Sequence, residues 1–279
     1  MTYRTVIDQH PAHRDDISDL VTRRPLPGPT LPHLDPFLFL NHHGPQFYPP
    51  HNAGLPFGPH PHRGFETVTF ILDGELAHHD SGNHESVIHA GGVQWMTAGS
   101  GLVHSELSPQ SFKNSGGRLE ILQLWINLPA RLKMTTPAYT GLQREDIAHV
   151  RSEGVCVGVV SGMYESVQGA LRSLTDVCML TVDLASGATI DLPAPVGHTV
   201  FCYMVKGQAQ AAGTTLLEHH LVQLSDDGDQ LRITAETATT LLYGHAAPFK
   251  EAIVSYGPFV MNTREEIQQA IEDYQNGRF

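Results

Sequence analysis

Cysteines, clustered basic side chains and long apolar runs are all scarce in this sequence, and each shortage excludes a class of protein. Three cysteines occur, Cys156, Cys178 and Cys202, and no C-x-x-C pair is present, so neither a disulfide framework nor a cysteine zinc site is predicted. The 29 acidic side chains outnumber the 17 basic ones, which gives a net charge of −12, and no cluster of Lys and Arg offsets this excess. Direct binding to nucleic acid depends on clustered cations and is not expected.

No stretch approaches the ~20 consecutive apolar residues that a membrane-spanning helix requires. The N-terminal stretch also lacks the charged-then-apolar layout of a secretory signal peptide. We therefore expect a soluble protein of the cytoplasm. A length of 279 residues exceeds the usual size of a single domain, so two domains or one large β architecture are the natural expectations.

From residue 65 onward, short β-branched or aromatic runs end at glycine or proline and predict an all-β fold. Examples are "FETVTFILDG", "GGVQWMTAG" and "LEILQLWINLP". Upstream, residues 24–61 are crowded with Pro, Gly and His, which excludes long helices and leaves "FLFL" as a short buried strand at most. The pattern is typical of a β-sandwich or a β-barrel.

A second series of strand-like runs repeats the first and indicates an internal duplication. Setting "FETVTFILDGE" over "HTVFCYMVKGQ" aligns Gly74 with Gly207, and "GGVQWM" then matches "HLVQLS" in the next strand. Between the halves, residues 136–144 are polar and contain Pro137 and Gly141. We therefore predict two domains, 1–135 and 145–279, joined by a linker at 136–144.

The last stretch, "NTREEIQQAIEDYQNGRF", predicts an α-helix. Thr263 and Glu266 have the spacing of a capping box. One apolar stripe follows along the helix, made of Ile267, Ala270, Ile271 and Tyr274. We expect this stripe to cover the face of a sheet.

Two pairs of potential metal ligands stand at strand edges of the first β unit. His60 and His62 are two positions apart at the start of one apolar run, and His104 and Glu106 have the same spacing in "GLVHSEL". Alternate residues of a strand point to the same face, so each pair can turn toward one ion at the ~2.1 Å bond length that imidazole prefers. The spacing predicts a metal site with these four side chains as ligands.

The second β unit provides an internal control for this site. Under the alignment above, its four equivalent positions hold apolar residues, namely Pro193, Pro195, Ile233 and Ala235. The duplicate thus keeps the strands and loses every ligand. Metal binding explains this difference better than a requirement of folding does.

Three imidazoles and one carboxylate, without a thiolate, suit a borderline divalent ion. We predict one iron(II) per chain, although other divalent first-row metals can bind such a set. Four protein ligands on a six-coordinate metal leave two positions open, enough for a bidentate substrate or for a substrate and dioxygen.

Glu66 has three possible roles. By strand parity it lies on the same face as His60 and His62, so it could be a fifth ligand or an outer group that fixes an imidazole tautomer. It could also be a structural carboxylate that pairs with Arg63 or with a backbone amide. The sequence leaves these alternatives open.

Three pairs of adjacent histidines are predicted to be solvated. Two neighbours in an extended chain point to opposite faces, which does not suit a shared metal, so loop positions are the better interpretation. The pairs are His42 with His43, His78 with His79, and His219 with His220.

Five long motifs occur in order along the chain: "DPFLFLNHHGP", "PHPHRGFETVTFILDGE", "GGVQWMTAGSGLVHSE", "LQLWINLPARLKM" and "YGPFVMNTREEIQQAIEDYQNGRF". Together they resemble the pirin family of the cupin superfamily, from near the N-terminus to the last residue. The resemblance implies a bicupin, with two jelly-roll β-barrels in tandem and a short C-terminal helix. It also implies that the N-terminal barrel binds a single iron through His60, His62, His104 and Glu106 and that the C-terminal barrel binds none.

The resemblance implies two classes of function. One is a quercetin 2,3-dioxygenase-like enzyme, which opens flavonols with dioxygen and releases carbon monoxide. Phe57, Trp95 and Met96 are candidates to line its pocket, and the alternative is that the same side chains simply fill the interior of the barrel. Glu106 could take the proton of the substrate's 3-hydroxyl. The alternative is an iron-dependent binding protein that regulates a transcription factor or a metabolic enzyme through a protein partner. Two barrels within one chain make a monomer sufficient for either function.

Overall fold

The computed structural model describes residues 2–279, and β-strands dominate it. The first half contains β1 (Val6–Pro11), β2 (His13–Arg14), β3 (Thr22–Leu26), β4 (Phe37–Tyr48), β5 (Phe57–His62), β6 (Phe65–Asp73), β7 (Glu75–Asp80), β8 (Glu85–His89), β9 (Val93–Thr97), β10 (Leu102–Leu107), α1 (Gln110–Ser115), β11 (Gly117–Asn127) and β12 (Ala138–Leu142). The second half contains β13 (Ala148–Ser152), β14 (Val155–Ser161), β15 (Met163–Tyr164), β16 (Val167–Gln168), β17 (Cys178–Leu184), β18 (Thr189–Pro193), β19 (Thr199–Lys206), β20 (Ala209–Ala211), β21 (Thr214–Leu216), β22 (His220–Leu224), β23 (Gln230–Ala235), β24 (Thr239–Ala246), β25 (Val254–Tyr256), β26 (Phe259–Met261) and α2 (Arg264–Gln275). Short 3-10 turns occupy Ala130–Leu132 and Arg144–Asp146. The all-β prediction is confirmed.

The chain folds into two compact units, each assembled from separate stretches of sequence. The C-terminal unit comprises the residues up to His13, Pro25–Pro36 and Asp146–Pro248, and the N-terminal unit comprises Arg14–Arg24, Phe37–Glu145 and Phe249–Phe279. Each end of the chain therefore folds with the opposite half, unlike in the contiguous domains expected at 1–135 and 145–279. At the N-terminus, the reason is that β1 hydrogen-bonds to β22 and completes a sheet of the C-terminal unit.

Each unit is a cupin barrel made of one seven-stranded and one four-stranded sheet. In the N-terminal unit the strand orders are β12-β9-β6-β11-β4-β3-β2 and β5-β10-β7-β8. In the C-terminal unit they are β1-β22-β19-β24-β17-β14-β13 and β18-β23-β20-β21. The two four-stranded sheets have the same order of equivalent strands, and the two seven-stranded sheets share theirs over most of their width. The predicted duplication is therefore present in the topology.

The two barrel interiors differ in their side chains. In the C-terminal unit one continuous apolar core fills the space between the sheets, with Leu192, Leu231 and Ile233 fully or almost fully buried. In the N-terminal unit an apolar cluster that includes Ile71 and Ile121 occupies one part of the interior. The histidines occupy another part, so the N-terminal unit carries the polar site.

The aligned glycines occupy equivalent turns after β6 and β19. Gly74 has a φ of +84° and Gly207 a φ of +83°, a conformation that side chains with a Cβ rarely adopt. At Gly207 an added Cβ would also lie 2.3 Å from the carbonyl oxygen of Ala238. The turn therefore requires glycine for two separate reasons.

Gly207→Ala is expected to lower the melting temperature of the C-terminal unit, because alanine at positive φ costs more than ~1 kcal/mol and here also meets a backbone oxygen. Gly187→Ala is the matched control, since Gly187 has a φ of +84° and no atom within 4 Å of an added Cβ. Thermal unfolding followed by circular dichroism should show the larger drop at Gly207. Equal drops would mean that the contact with Ala238 adds nothing to the strain.

The strand expected at "FLFL" is longer than predicted. β4 runs for 12 residues and continues through Gly44 and Pro45, where the pairing with β11 shifts register between Leu119 and Ile121. Gly44 takes a φ of +86° at this irregularity. A bulge in the strand thus accommodates the Gly-Pro pair, and the strand extends beyond the short stretch predicted.

The segment predicted to be a linker, 136–144, is mostly strand. β12 pairs along its length with β9, and Tyr139 lies opposite Met96. β12 is an edge strand, and edge strands are often polar, which made its sequence look like a linker. The segment is thus part of the N-terminal unit, and the boundary between the two units follows it, between Glu145 and Asp146.

The predicted helix at the end of the chain is confirmed. Thr263 caps α2, with the reciprocal capping box to Glu266, and α2 buries Ile267 and Ala270 against the hairpin of β25 and β26. The short helix α1 was not predicted. Among residues 2–279, no helix is long and apolar enough to cross a bilayer.

Candidate metal centre

Three histidine side chains converge inside the barrel of the N-terminal unit. His60 and His62 lie on β5, His104 lies on β10, and the antiparallel pairing of these strands places His104 opposite His60. One ring nitrogen of each imidazole lies within 4.8 Å of those of the other two. The structure thus brings together three of the four side chains predicted as ligands, and the rest of the described chain has no second group of this kind.

His60 and His62 each use one ring nitrogen in a hydrogen bond, which leaves the other nitrogen available to a metal. Nδ1 of His60 lies 2.7 Å from the carbonyl oxygen of Gly58, and Nδ1 of His62 lies 3.4 Å from that of Pro258. A carbonyl oxygen can only accept, so Nδ1 donates in each ring and Nε2 keeps its lone pair. This is the arrangement in which a histidine binds a metal through Nε2.

His104 is the side chain that most clearly lacks a partner. It is 2% exposed, and neither ring nitrogen has a hydrogen-bond partner. Leaving a buried polar group unpaired costs about 1–3 kcal/mol, so such a group calls for an explanation. A metal ion between the three rings would satisfy it.

Burial also keeps the imidazoles of His62 and His104 neutral at physiological pH. Desolvation, with a smaller contribution from His60, lowers the pKa of His62 to about 3. Desolvation, followed by the neighbouring His62 and His60, holds the pKa of His104 well below its usual value. Neutral imidazole is the form that coordinates metal ions, so the residues present fit a divalent metal.

Glu106 lies near this group but outside it. It follows His104 on β10 after an irregularity in the pairing with β5. Its Oε1 accepts hydrogen bonds from Thr69 Oγ1 at 3.0 Å and from Gln94 Nε2, and its Oε2 accepts one from Gln123 Nε2 at 2.5 Å. The carboxylate is therefore buried and held by three donors from β6, β9 and β11 of the seven-stranded sheet.

Glu66 lies on the face of β6 that points away from the three histidines and Glu106. Gly64, with a φ of +90°, separates β5 from β6, so the parity that related Glu66 to His60 and His62 does not hold. Thr69 turns toward Glu106, so by alternation Glu66 turns away, and its Oε1 accepts a hydrogen bond from Thr97 Oγ1 at 2.6 Å. Burial raises its pKa.

The pairing of Glu66 with Arg63, one of the alternatives left open by the sequence, does not occur. The Arg63 guanidinium instead donates to Asp273. Glu66 is also absent from the group of three histidines.

The prediction that the adjacent histidines are solvated is wrong for three of them. His42 and His43 lie in β4 and His78 lies in β7, and all three are buried. Each has a polar partner, respectively Glu120, Thr22 and Asp80. The alternation of β7 carried the missed signal, because His78 shares the inward parity of Leu76 while His79 stays exposed.

His78 adds a polar group to the same interior. It lies directly opposite Glu106 in the pairing of β7 with β10, and its ring centroid is 5.4 Å from that of His104. Its Nε2 is 2.9 Å from a carboxylate oxygen of the buried Asp80, and its ring stacks on Tyr139 at 4.0 Å. Its Nδ1 has no hydrogen-bond partner.

An aromatic wall flanks the histidines, made of different residues from those predicted. The rings of Trp125 and Phe65 lie 5.3 and 5.1 Å from that of His62, and Phe39 stacks on Trp125 at 4.6 Å. Trp95, the predicted indole, instead contacts Glu66 on the outward face of β9.

The two other predicted pocket residues pack elsewhere in the same unit. Phe57 contacts the apolar cluster and lies 5.3 Å from the ring of His43. Met96 packs with Ala98 and Leu102, beside Tyr139. Neither therefore belongs to the aromatic wall next to His62.

Two family models match the chain. The model described as Pirin covers residues 19–126, and the model described as Pirin C-terminal cupin domain covers residues 179–279. The first match includes all four predicted ligands. The second includes the end of the chain that folds with the N-terminal unit.

Similar proteins and structures extend over almost the whole chain. A Pseudomonas aeruginosa protein named "Putative quercetin 2,3-dioxygenase" is 40% identical over 249 residues, which is 88% of this chain and 87% of that protein. Pirin of Rattus norvegicus is 36% identical over 264 residues, 92% of this chain and 86% of that protein. A crystal structure of quercetin 2,3-dioxygenase from Acinetobacter baumannii superposes with a TM-score of 0.93 at 33% identity and covers 100% of this chain and 99% of that one.

Proposed function

This chain belongs to the pirin family, and on that premise we propose that it is an iron(II)-dependent dioxygenase that opens quercetin-like flavonols with dioxygen and releases carbon monoxide. The observation that carries the proposal is the convergence of three imidazoles, two of them buried, beside a buried carboxylate. The similarity to proteins named as quercetin dioxygenases supports the choice of substrate class.

We assign the metal to His60, His62 and His104, with Glu106 as the fourth ligand. A divalent iron bound there would supply Lewis-acid and redox chemistry. The three donors on Glu106, from Thr69, Gln94 and Gln123, hold both carboxylate oxygens in a fixed direction. One of these oxygens is proposed to take the proton of the flavonol 3-hydroxyl.

The aromatic wall is suited to a flat, apolar ligand. Trp125 and Phe65 present their rings beside His62, and the indole Nε1 of Trp125 is buried without a hydrogen-bond partner. Stacked aromatic rings bind a planar substrate through dispersion, and an unpaired indole N–H can donate to one of its oxygens. The wall thus orients the substrate and excludes water from the reacting side.

The alternative function is that of an iron-dependent regulatory protein. It is favoured by the similarity to Rattus norvegicus pirin over 92% of the chain. That function needs the same metal site and a protein partner, but no turnover of a small molecule. The two proposals therefore differ in a measurable product.

Iron-loaded protein with quercetin is expected to consume dioxygen and release carbon monoxide in equal amounts. An oxygen electrode and the absorption change of reduced haemoglobin would follow the two gases. A flavone without the 3-hydroxyl is the matched control, because Glu106 would have no proton to take and neither gas should change. Absence of carbon monoxide with iron and with the other divalent first-row metals would favour the regulatory function.

A further inference from the structure

Residues 258–279, here called the tail segment, pair with the backbone that immediately follows His62. The amide of Val260 donates to the carbonyl oxygen of Arg63 at 3.1 Å, and the amide of Arg63 faces the carbonyl oxygen of Pro258 at 3.4 Å. The same Pro258 oxygen accepts from Nδ1 of His62. A stretch almost 200 residues away in sequence therefore sets which nitrogen of His62 faces the other histidines.

Arg63 links this pairing to α2. Its side chain is buried, and its Nη1 donates to Oδ2 of Asp273 at 2.7 Å. Its Nε donates to the carbonyl oxygen of Ser100 at 2.6 Å, in the turn that leads into β10 and His104, and its guanidinium lies 4.5 Å from the ring centre of Phe279. A buried cation needs a paired anion, so Asp273 is what keeps Arg63 in this place.

The backbone that follows His62 is also packed tightly against the tail segment. An added Cβ at Gly64 would lie 2.0 Å from the carbonyl oxygen of Val260. The buried ammonium of Lys133 joins the carbonyl oxygens of Gly64 and Val260, at 2.9 and 3.0 Å. Val260 in turn packs against Phe65, beside Trp125 of the aromatic wall.

We propose that Asp273 is a positioning residue that acts through Arg63 to hold His62, so that the tail segment sets the metal affinity of the three-histidine site. This inference rests on the metal site of the proposed function and is independent of flavonol turnover. Arg63 connects the backbone next to both ligands, because it directly follows His62 in the chain and donates to the carbonyl oxygen of Ser100, which precedes His104. Loss of the Asp273 charge would release both.

Asp273→Asn is expected to weaken the binding of Co(II), titrated into metal-free protein, by about tenfold or more, as the loss of outer partners of metal ligands typically does. The visible d–d band of bound Co(II) should shift as well, because the orientation of His62 changes. Asp273→Glu, which keeps the charge, should recover most of the affinity. Glu272→Gln is the matched control on the same helix, since this exposed carboxylate contacts only Gln268 among its side-chain partners.

Each outcome of the titration decides the proposal. Unchanged affinity and an unchanged band in folded Asp273→Asn protein would overturn it, and so would an equal loss in Glu272→Gln. If Asp273→Asn does not fold, Phe279→Leu removes the ring beside Arg63, together with its contacts to Phe259 and Tyr274, and is read by the same two measurements. A wild-type protein that binds no Co(II) would overturn the metal site itself, and the positioning role with it, whatever the result with quercetin.

Discussion

Protein carrying His62→Ala is expected to purify without metal, and the wild type is expected to carry one ion per chain. His62 is 4% exposed and supplies one of three nitrogens that lie within 4.8 Å of one another. Loss of an outer partner of a ligand already costs about 10–100-fold in metal affinity, so removing the ligand itself should cost more. Elemental analysis of the two purified proteins measures the difference.

The control for this loss is a histidine outside the site. His79→Ala removes an imidazole that is 62% exposed and lies 3.4 Å from the exposed Glu85, so it should leave the metal content unchanged. Far-UV circular dichroism should show the same strand content in both variants, because the pairing of β5 with β10 uses the backbone. Equal metal in wild type and His62→Ala would end the assignment of this site.

The sequence predicted the barrels and the three histidines because both depend on local alternation. His60 and His62 share a face of one short strand, and Gly74 and Gly207 mark the same turn in both units. The spacing of two positions holds along any strand without a bulge. Where the backbone stays regular, as between His60 and His62, the predicted convergence is observed.

Alternation failed wherever the backbone is irregular or the partner is distant. Gly64 ends one strand and resets the parity, which placed Glu66 on the wrong face in the prediction. Trp95 is buried and Trp125 is partly buried, and only the pairing of β9, β6 and β11 shows that Trp125 is the one beside His62. Local sequence does not reveal which strands become neighbours.

Which end of the chain joins which unit could not be predicted either, because it too depends on distant partners. β1 joins the C-terminal unit through β22, and residues 249–279 belong to the N-terminal unit, so both contacts span about 200 residues. The buried His78 shows the converse case. Its inward parity and its partner Asp80, two positions further along β7, could both be read from the sequence, but the tyrosine ring that stacks on it comes from β12.

Glu106→Gln is expected to lose at least about a hundredfold in quercetin turnover while iron stays bound, because removal of a general base typically costs 10²–10⁴-fold. Glutamine keeps the size and one oxygen of the side chain and removes its charge and basicity. In the wild type, Thr69, Gln94 and Gln123 each donate a hydrogen bond to the carboxylate of Glu106. The Gln123 amide can rotate by half a turn and accept from the new amide, so the fold should tolerate the change.

The rate and the iron content must be measured on the same sample to separate the two roles of Glu106. Loss of turnover at full iron occupancy identifies the base, whereas parallel loss of iron and turnover identifies a ligand alone. Glu85→Gln is the matched control, since this carboxylate is 77% exposed and pairs with His79 at the surface. It should keep both iron and rate. Turnover within a few-fold of wild type in iron-replete Glu106→Gln protein would exclude Glu106 as the base, because a residue that takes the substrate proton cannot be neutralised without a large loss of rate.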